Sequence, residues 1–288
     1  MSEKTTVAVI GAAGSMGTKA STTLNEDVSY NVLCVEAGEV GIASLREREL
    51  EPVDLAEALN KAEVVILAVP DALIGTVAVE IVPQMRSGAM LIGLDPAAPH
   101  AGRLPERKDV SYFFTHPAHP PLFNDESDEK ARRDYFGGVA KQAIVCALLQ
   151  GPEDDYARGE AIAKRMFGPI LRSHRVTIDQ MAILEPALSE TVAATCLTVV
   201  REALDEAIAR GVPAEAARDF LLGHLNVELA ILFDVIPWEM SDGAKEAVAD
   251  AKPVLFHSDW KKVFEADELL TSTRRITTPK QVGTGSGA

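Results

Sequence analysis

Seven consecutive residues, Gly11, Ala12, Ala13, Gly14, Ser15, Met16 and Gly17, join an apolar stretch to a helical pattern. Glycines in that place let backbone amides at a helix start approach a pyrophosphate, and the helix dipole favours the anion. The spacing is GxxGxxG rather than the commoner GxGxxG, so the loop alone decides little. About twenty residues further on, Glu36 closes the next apolar stretch. A carboxylate there hydrogen-bonds adenosine ribose hydroxyls and repels a 2′-phosphate. Loop and acid together predict a dinucleotide site that takes NAD rather than NADP. A tight turn beside an unrelated surface glutamate is the competing reading. Val69 and Pro70, within Ala68-Val69-Pro70-Asp71, fall where a strand end would meet the nicotinamide side of such a site. A plain proline turn fits that segment equally well.

A second group of residues offers proton chemistry. Thr115-His116-Pro117-Ala118-His119-Pro120-Pro121 places two histidines three apart in a segment stiffened by three prolines. A histidine held there suits a general acid or base, or a neutral metal ligand; a rigid surface loop is the plainer alternative. Further along, Glu185 and Glu190 interrupt an apolar stretch. Five residues on an α-helix is about 140° of rotation, so both face one cleft only if Pro186 breaks the register. His224 and Glu228 stand at i and i+4 on a helical pattern with apolar neighbours. That pair reads either as ligands or as an internal hydrogen bond.

The elements that must carry these groups can be traced from periodicity. Strands are expected at Thr6–Ile10, Asn31–Glu36, Val64–Val69, Ala89–Leu94, Tyr112–Thr115, Ala143–Leu149 and Ile170–Ile178, with helical patterns between several of them. This alternation predicts parallel βαβ units in a doubly wound α/β sheet of the Rossmann type over 1–178. From Asp179 the pattern is helical, so 179–288 is expected to be an all-helical domain for substrate and dimerisation. Thr191–Val200 carries no charge, and a helix uncharged all round must be covered, here by a second copy in a homodimer. Thr271–Ala288 reads as a polar arm.

The 288 residues carry a formal charge of −15, which argues against nucleic acid or anionic lipid as principal partners. No uninterrupted apolar run reaches the roughly 18 residues of a membrane span, and the polar Met1–Thr6 gives no secretory signal. Cys34, Cys146 and Cys196 lie far apart without paired spacing, as expected of buried thiols in a reducing, cytoplasmic setting.

The loop with Met16-Gly17, Glu36, Ala68-Val69-Pro70-Asp71 and the helical second half resemble the 6-phosphogluconate and β-hydroxyacid dehydrogenase superfamily. Within it, Thr115–Pro121, Leu184–Thr191 and Ser258-Asp259-Trp260-Lys261 resemble the D-apionate oxidoisomerase family. The resemblance covers nearly the whole chain. It implies NAD-dependent oxidation of a branched sugar acid, D-apionate, coupled to an acyloin-type rearrangement that gives 3-oxo-isoapionate. The lysine that β-hydroxyacid dehydrogenases carry early in the second domain has no counterpart in Asp179–Thr191. A rearrangement needs an electrophile for adjacent oxygens, which a divalent cation supplies as a Lewis acid. His116, Glu190, His224 and Glu228 are the ligands of suitable type, and mixed N/O donors suit zinc, manganese or iron. Alternatively, His116 and Glu190 act as general base and orienting carboxylate without a metal. The competing functions are a β-hydroxyacid or prephenate-type dehydrogenase without isomerisation, and a non-catalytic NAD-sensing protein. A sensor would keep the glycine loop and Glu36 but would have no use for His116 or Glu190.

Overall fold

Residues 4–278 are described in the structure, a computed structural model. The chain begins with β1 (Thr5–Ile10), α1 (Ser15–Asn25), β2 (Tyr30–Val35), α2 (Glu39–Glu47), α3 (Leu55–Lys61), β3 (Val64–Leu67) and α4 (Asp71–Ile81). It continues with β4 (Met90–Gly93), α5 (Ala97–His100), β5 (Ser111–Pro117), α6 (Glu129–Arg132), β6 (Gln142–Gln150), α7 (Asp154–Phe167) and β7 (Ile170–Arg175). These strands form one seven-stranded sheet in the order β2-β1-β3-β4-β5-β6-β7.

Alternation along the strands explains why both faces are covered. Val7, Val9, Val64, Ile66, Met90, Ile92 and Phe113 point into one apolar cluster, whereas Ala8, Ile10, Val65, Leu67, Leu91, Tyr112 and Phe114 point into another. Strands buried on both faces read as continuous apolar runs, as β3 and β4 do. The sheet is parallel except where β5 meets β6. The expected parallel arrangement fails there: the connection 118–141 holds only the one-turn α6 instead of the helix that usually carries a parallel crossover, and β6 pairs antiparallel with β5. The chain order reverses across β1, between β2 and β3, which makes the carboxyl ends of β1 and β3 the switch point where such sheets bind ligands.

The chain divides into two compact units, one of Met1–Glu185 with Leu270–Ala288, the other of Pro186–Leu269. This division falls later than the boundary expected at 178, and the end of the chain returns to the sheet unit. The expected arm is helical over Thr271–Ile276, the end of a helix that starts at Ala266, and 279–288 lie outside the described residues. Its polarity does not prevent burial, because the hydroxyls of the fully buried Thr273 and the buried Thr277 find carbonyl acceptors at Leu270 and Thr273.

One long helix opens as α8 (Ile178–Ala182), capped reciprocally by Thr177 and Gln180. It is wound as a π-helix over Ile183–Ala194 and resumes as α9 (Thr195–Ala209). Pro186 lacks the amide that an α-ladder needs, which breaks the register at that point. The Thr191 hydroxyl donates to the Pro186 carbonyl at 2.6 Å, five residues back. The helical unit continues with α10 (Ala214–Leu232), α11 (Asp242–Leu255) and α12 (Ala266–Ile276), the last of which ends in the sheet unit. Among the described residues, the helix Ile178–Ala209 is long and apolar enough to cross a membrane by length and composition. Counting uninterrupted apolar runs missed it, since mean hydropathy over 18 residues tolerates Glu185 and Glu190. The same helix carries those two acids, and Glu185 is tied to the sheet through His116.

Candidate active site

The glycine loop leaves β1 at the switch point. Gly11 has φ +81°, and a side chain there would meet the Ala68 carbonyl oxygen at 2.5 Å. At Gly17 a Cβ would lie 2.0 Å from the Gly11 carbonyl, so glycine lets α1 start against the turn. Gly14 differs, because a Cβ there would make only ordinary contacts within the chain. What Gly14 keeps clear is the space beyond its own backbone, where a pyrophosphate would lie. Ala12, Ala13, Ser15 and Met16 complete the loop, and Val69 and Pro70 follow β3 beside it. Val69 is also the side chain nearest to a Cβ built on Gly11, at 3.2 Å.

Glu36 directly follows β2 and folds back over this loop. Its carboxylate accepts from the Ala13 amide at 3.0 Å and the Ala37 amide at 3.2 Å. Gly41 leaves room for it, since a Cβ there would strike Glu36 Cγ at 2.3 Å. Arg48, by contrast, turns its guanidinium to the Ala12 carbonyl and the hydroxyls of Thr18, Ser21 and Thr22, bracing α1 rather than meeting a phosphate.

Three further acidic or basic groups gather at the carboxyl ends of β3, β4 and β5. His116 lies inside β5, opposite Val145, and not in the loop after it, where the sequence placed it. Its Nδ1 donates to the Leu94 carbonyl at 2.8 Å, which leaves Nε2 to face Glu185 Oε1 at 3.0 Å. Burial opposes charge on this ring, but the Glu185 hydrogen bond and charge, the Leu94 carbonyl and Asp95 outweigh it and raise its pKa to about 8. The pairing with Glu185 therefore favours the imidazolium form of His116. Asp95 follows β4 and is 8% exposed, with Oδ1 accepting from the Ala97 amide at 2.7 Å. Burial, then the charges of Glu185 and Asp71, push its carboxyl up to about 8. Asp71, at the start of α4, is raised by burial and by Glu185, with His116 opposing. Glu185 Oε2 is buried without a hydrogen-bond partner among the described residues.

His119 borders this cluster in a left-handed conformation at φ +60°. Its ring meets those of His116 and Phe136 edge-on, at 6.4 Å and 5.8 Å, and burial lowers its pKa. The Phe136 loop is held by the Asp134 carboxylate, which accepts from the amides of Phe136, Gly137, Val139 and Ala140.

Two expectations about the glutamates change. The carboxylate that meets His116 is Glu185, and Glu190 lies exposed further along the same helix. The 140° separation assumed α-helical winding, which the π-helix over Ile183–Ala194 does not have. Sequence reasoning missed Asp95, although an acid directly after a buried strand was visible in Leu94-Asp95-Pro96. His224 is exposed, with Nδ1 bonded to the Phe220 carbonyl at 2.8 Å and its ring stacked on Phe220 at 4.0 Å, and Glu228 is half-buried. Of the expected metal ligands, His116 belongs to the sheet unit and Glu190, His224 and Glu228 to the helical unit. No group of three or more His, Cys, Asp or Glu suited to a metal occurs among the described residues. The set expected from sequence is thus not assembled within either unit.

A dinucleotide loop at the switch point, with a histidine and carboxylates at the neighbouring strand ends, is the arrangement of a nicotinamide-dependent dehydrogenase, and the chain is an NAD-dependent oxidoreductase. Residues 1–146 match the NADPH-binding domain of acetohydroxy acid isomeroreductase, and 124–277 match the C-terminal domain of decarboxylating phosphogluconate dehydrogenase. The chain is 53% identical over 279 residues to D-apionate oxidoisomerase of Cupriavidus necator, covering 96% of this chain and 100% of that one. It is 52% identical to D-apionate oxidoisomerase of Rhizobium rhizogenes, covering 95% and 100%. A semialdehyde dehydrogenase NAD-binding protein from Cupriavidus necator, solved in complex with calcium and NAD, superposes with a TM-score of 0.92 at 53% identity, covering 96% and 100%. The chain belongs to the D-apionate oxidoisomerase family, within the 6-phosphogluconate dehydrogenase-like superfamily.

Proposed function

We propose that this enzyme oxidises D-apionate and rearranges the product to 3-oxo-isoapionate, using NAD. The observation that carries the reading is the His116–Glu185 pair at the carboxyl end of β5, 3.0 Å apart and next to the buried Asp95. Bound NAD supplies the hydride acceptor. His116 in its neutral form takes the proton of the secondary alcohol at Nε2 as the carbon–hydrogen bond breaks, while Leu94 holds the ring by Nδ1. Glu185 orients the ring and stabilises the imidazolium that results. Gly11 to Gly17 seat the pyrophosphate and Glu36 the ribose, with Val69 and Pro70 beside the nicotinamide. The matched isomeroreductase domain is described as NADPH-binding, but Glu36 supports NAD, as does likeness to a protein solved with NAD.

The ligands expected from sequence do not fit a divalent ion within one chain, because both nitrogens of His116 are engaged by Leu94 and Glu185 and no group of three or more His, Cys, Asp or Glu suited to a metal occurs among the described residues. No step is therefore derived through a metal, and His116 with Glu185 replaces His116 with Glu190 as the acid–base pair. The assembly that fits is a homodimer, supported by the apolar side chains that the helical unit leaves uncovered, among them Leu197, Val199, Phe220 and Leu222. A reducing cytoplasm suits the three free cysteines. The test is NADH formation with NAD or NADP over a panel of branched and linear sugar acids. Turnover confined to D-apionate and NAD is expected. Equal turnover with an unbranched 3-hydroxy acid, or a preference for NADP, would overturn the reading.

A further inference from the structure

The proposed reaction contains two steps, and the His116–Glu185 pair accounts for only the first. After hydride removal, a carbon group must move between adjacent oxygenated carbons. The group leaves the carbinol carbon with its bonding electrons and bonds to the ketone carbon. The carbinol oxygen then becomes a carbonyl by losing its proton, and the former ketone oxygen becomes a hydroxyl by gaining one. Such a step calls for a group that donates a proton beside a base that removes one.

We propose that Asp95 is the acid of this rearrangement: its carboxyl hydrogen-bonds the ketone oxygen of the oxidised substrate and gives it a proton. The inference rests on D-apionate being the substrate. Four observations support it. Asp95 stands two residues beyond β4, at the strand ends where ligands bind in such sheets. It is 8% exposed and forms no ion pair with a lysine or arginine among the described residues, so only the Ala97 amide and the His116 ring favour its carboxylate form against burial. The Ala97 amide engages Oδ1, which fixes the side chain and leaves Oδ2 to carry the proton. The adjoining Leu94 carbonyl anchors His116, so Asp95 and the base of the oxidation step are set by consecutive residues of one turn. Burial beside Glu185 and Asp71 then favours the protonated form of Asp95. Once Asp95 has given up its proton, its carboxylate accepts the one leaving the carbinol, so the step gains and loses neither protons nor electrons.

A purely structural role is the alternative, since the Oδ1 contact caps α5, and asparagine would serve that role as well. The full-length enzyme is supplied with NAD and D-apionate, and NADH and rearranged product are measured together, by absorbance and NMR. In Asp95→Asn and Asp95→Ala, rearranged product per NADH is expected to fall on the order of a hundredfold, with unrearranged 2-oxo acid released. If Asp95→Ala does not fold, Asp95→Asn supplied directly with the 2-oxo acid gives the same comparison without oxidation. A wild-type product ratio in Asp95→Asn overturns the assignment. A wild-type enzyme that forms no NADH from D-apionate overturns the substrate reading on which it rests.

Discussion

The sheet unit and the helical unit bury their apolar residues in opposite ways. In the first, Val64–Leu67 and Met90–Gly93 are buried throughout, and Phe113 and Phe114 have no exposed surface. In the second, α9 buries only Leu204, α10 only Ala217 and Ala230, and α11 nothing. Phe220 is 69% exposed and Leu232 is 61% exposed on α10. A sheet wound on both faces satisfies itself within one chain. Long helices with so few buried positions leave apolar surface that something else must cover. Chemistry divides the same way. The tuned histidine and carboxylates stand on the self-contained unit, where packing fixes their positions.

The sharpest way to break that division is to compare its two candidate histidines. His116→Ala is expected to lower kcat by about a hundredfold to ten-thousandfold, the usual worth of a positioned acid or base. NADH binding, monitored by fluorescence titration, should survive, because His116 lies apart from the glycine loop. His224→Ala should leave kcat within a factor of about three, since its ring is engaged with Phe220. Equal losses at both positions would bring the helical unit into the chemistry.

Stability offers the next comparison. Phe113→Ala removes a ring with no exposed surface and should cost about 3–5 kcal/mol in chemical unfolding. Phe220→Ala should cost little in a lone chain; in a homodimer, whose midpoint already depends on protein concentration, it should lower the midpoint, most at low concentration. Light scattering that shows a monomer at micromolar concentration, with full activity, would remove the dimer. A smaller effect, about tenfold in the ratio of NAD to NADP efficiency, is expected for Glu36→Ser.

How legible each region is in the sequence depends on its physics. Strands buried on both faces announce themselves as apolar runs, and the positions of β1 to β7 can be read from sequence within a few residues. The glycine loop was legible too, because Gly11 and Gly17 answer to local sterics. The reversed direction of β6 was not, since it depends on what the chain between 118 and 141 fails to supply. Nor was the choice between Glu185 and Glu190, because an angle of rotation assumes a winding, and Pro186 changed it. Asp95 was overlooked for a different reason. Its meaning comes from Glu185 and Asp71, far away in sequence.

The pH dependence of NADH formation in the wild type and in Glu185→Gln tests the central claim, that His116 is the base and Glu185 its partner. Oxidation needs the neutral ring, so kcat/KM should rise with pH and level off above about 8, the pKa that Glu185 helps to set. Glutamine removes the negative charge that favours the imidazolium, so in the variant the rise should move to lower pH by about one unit or more. Glu190→Gln, measured alongside, should leave the profile in place. An unmoved profile in Glu185→Gln, or a shift in Glu190→Gln instead, would contradict the account.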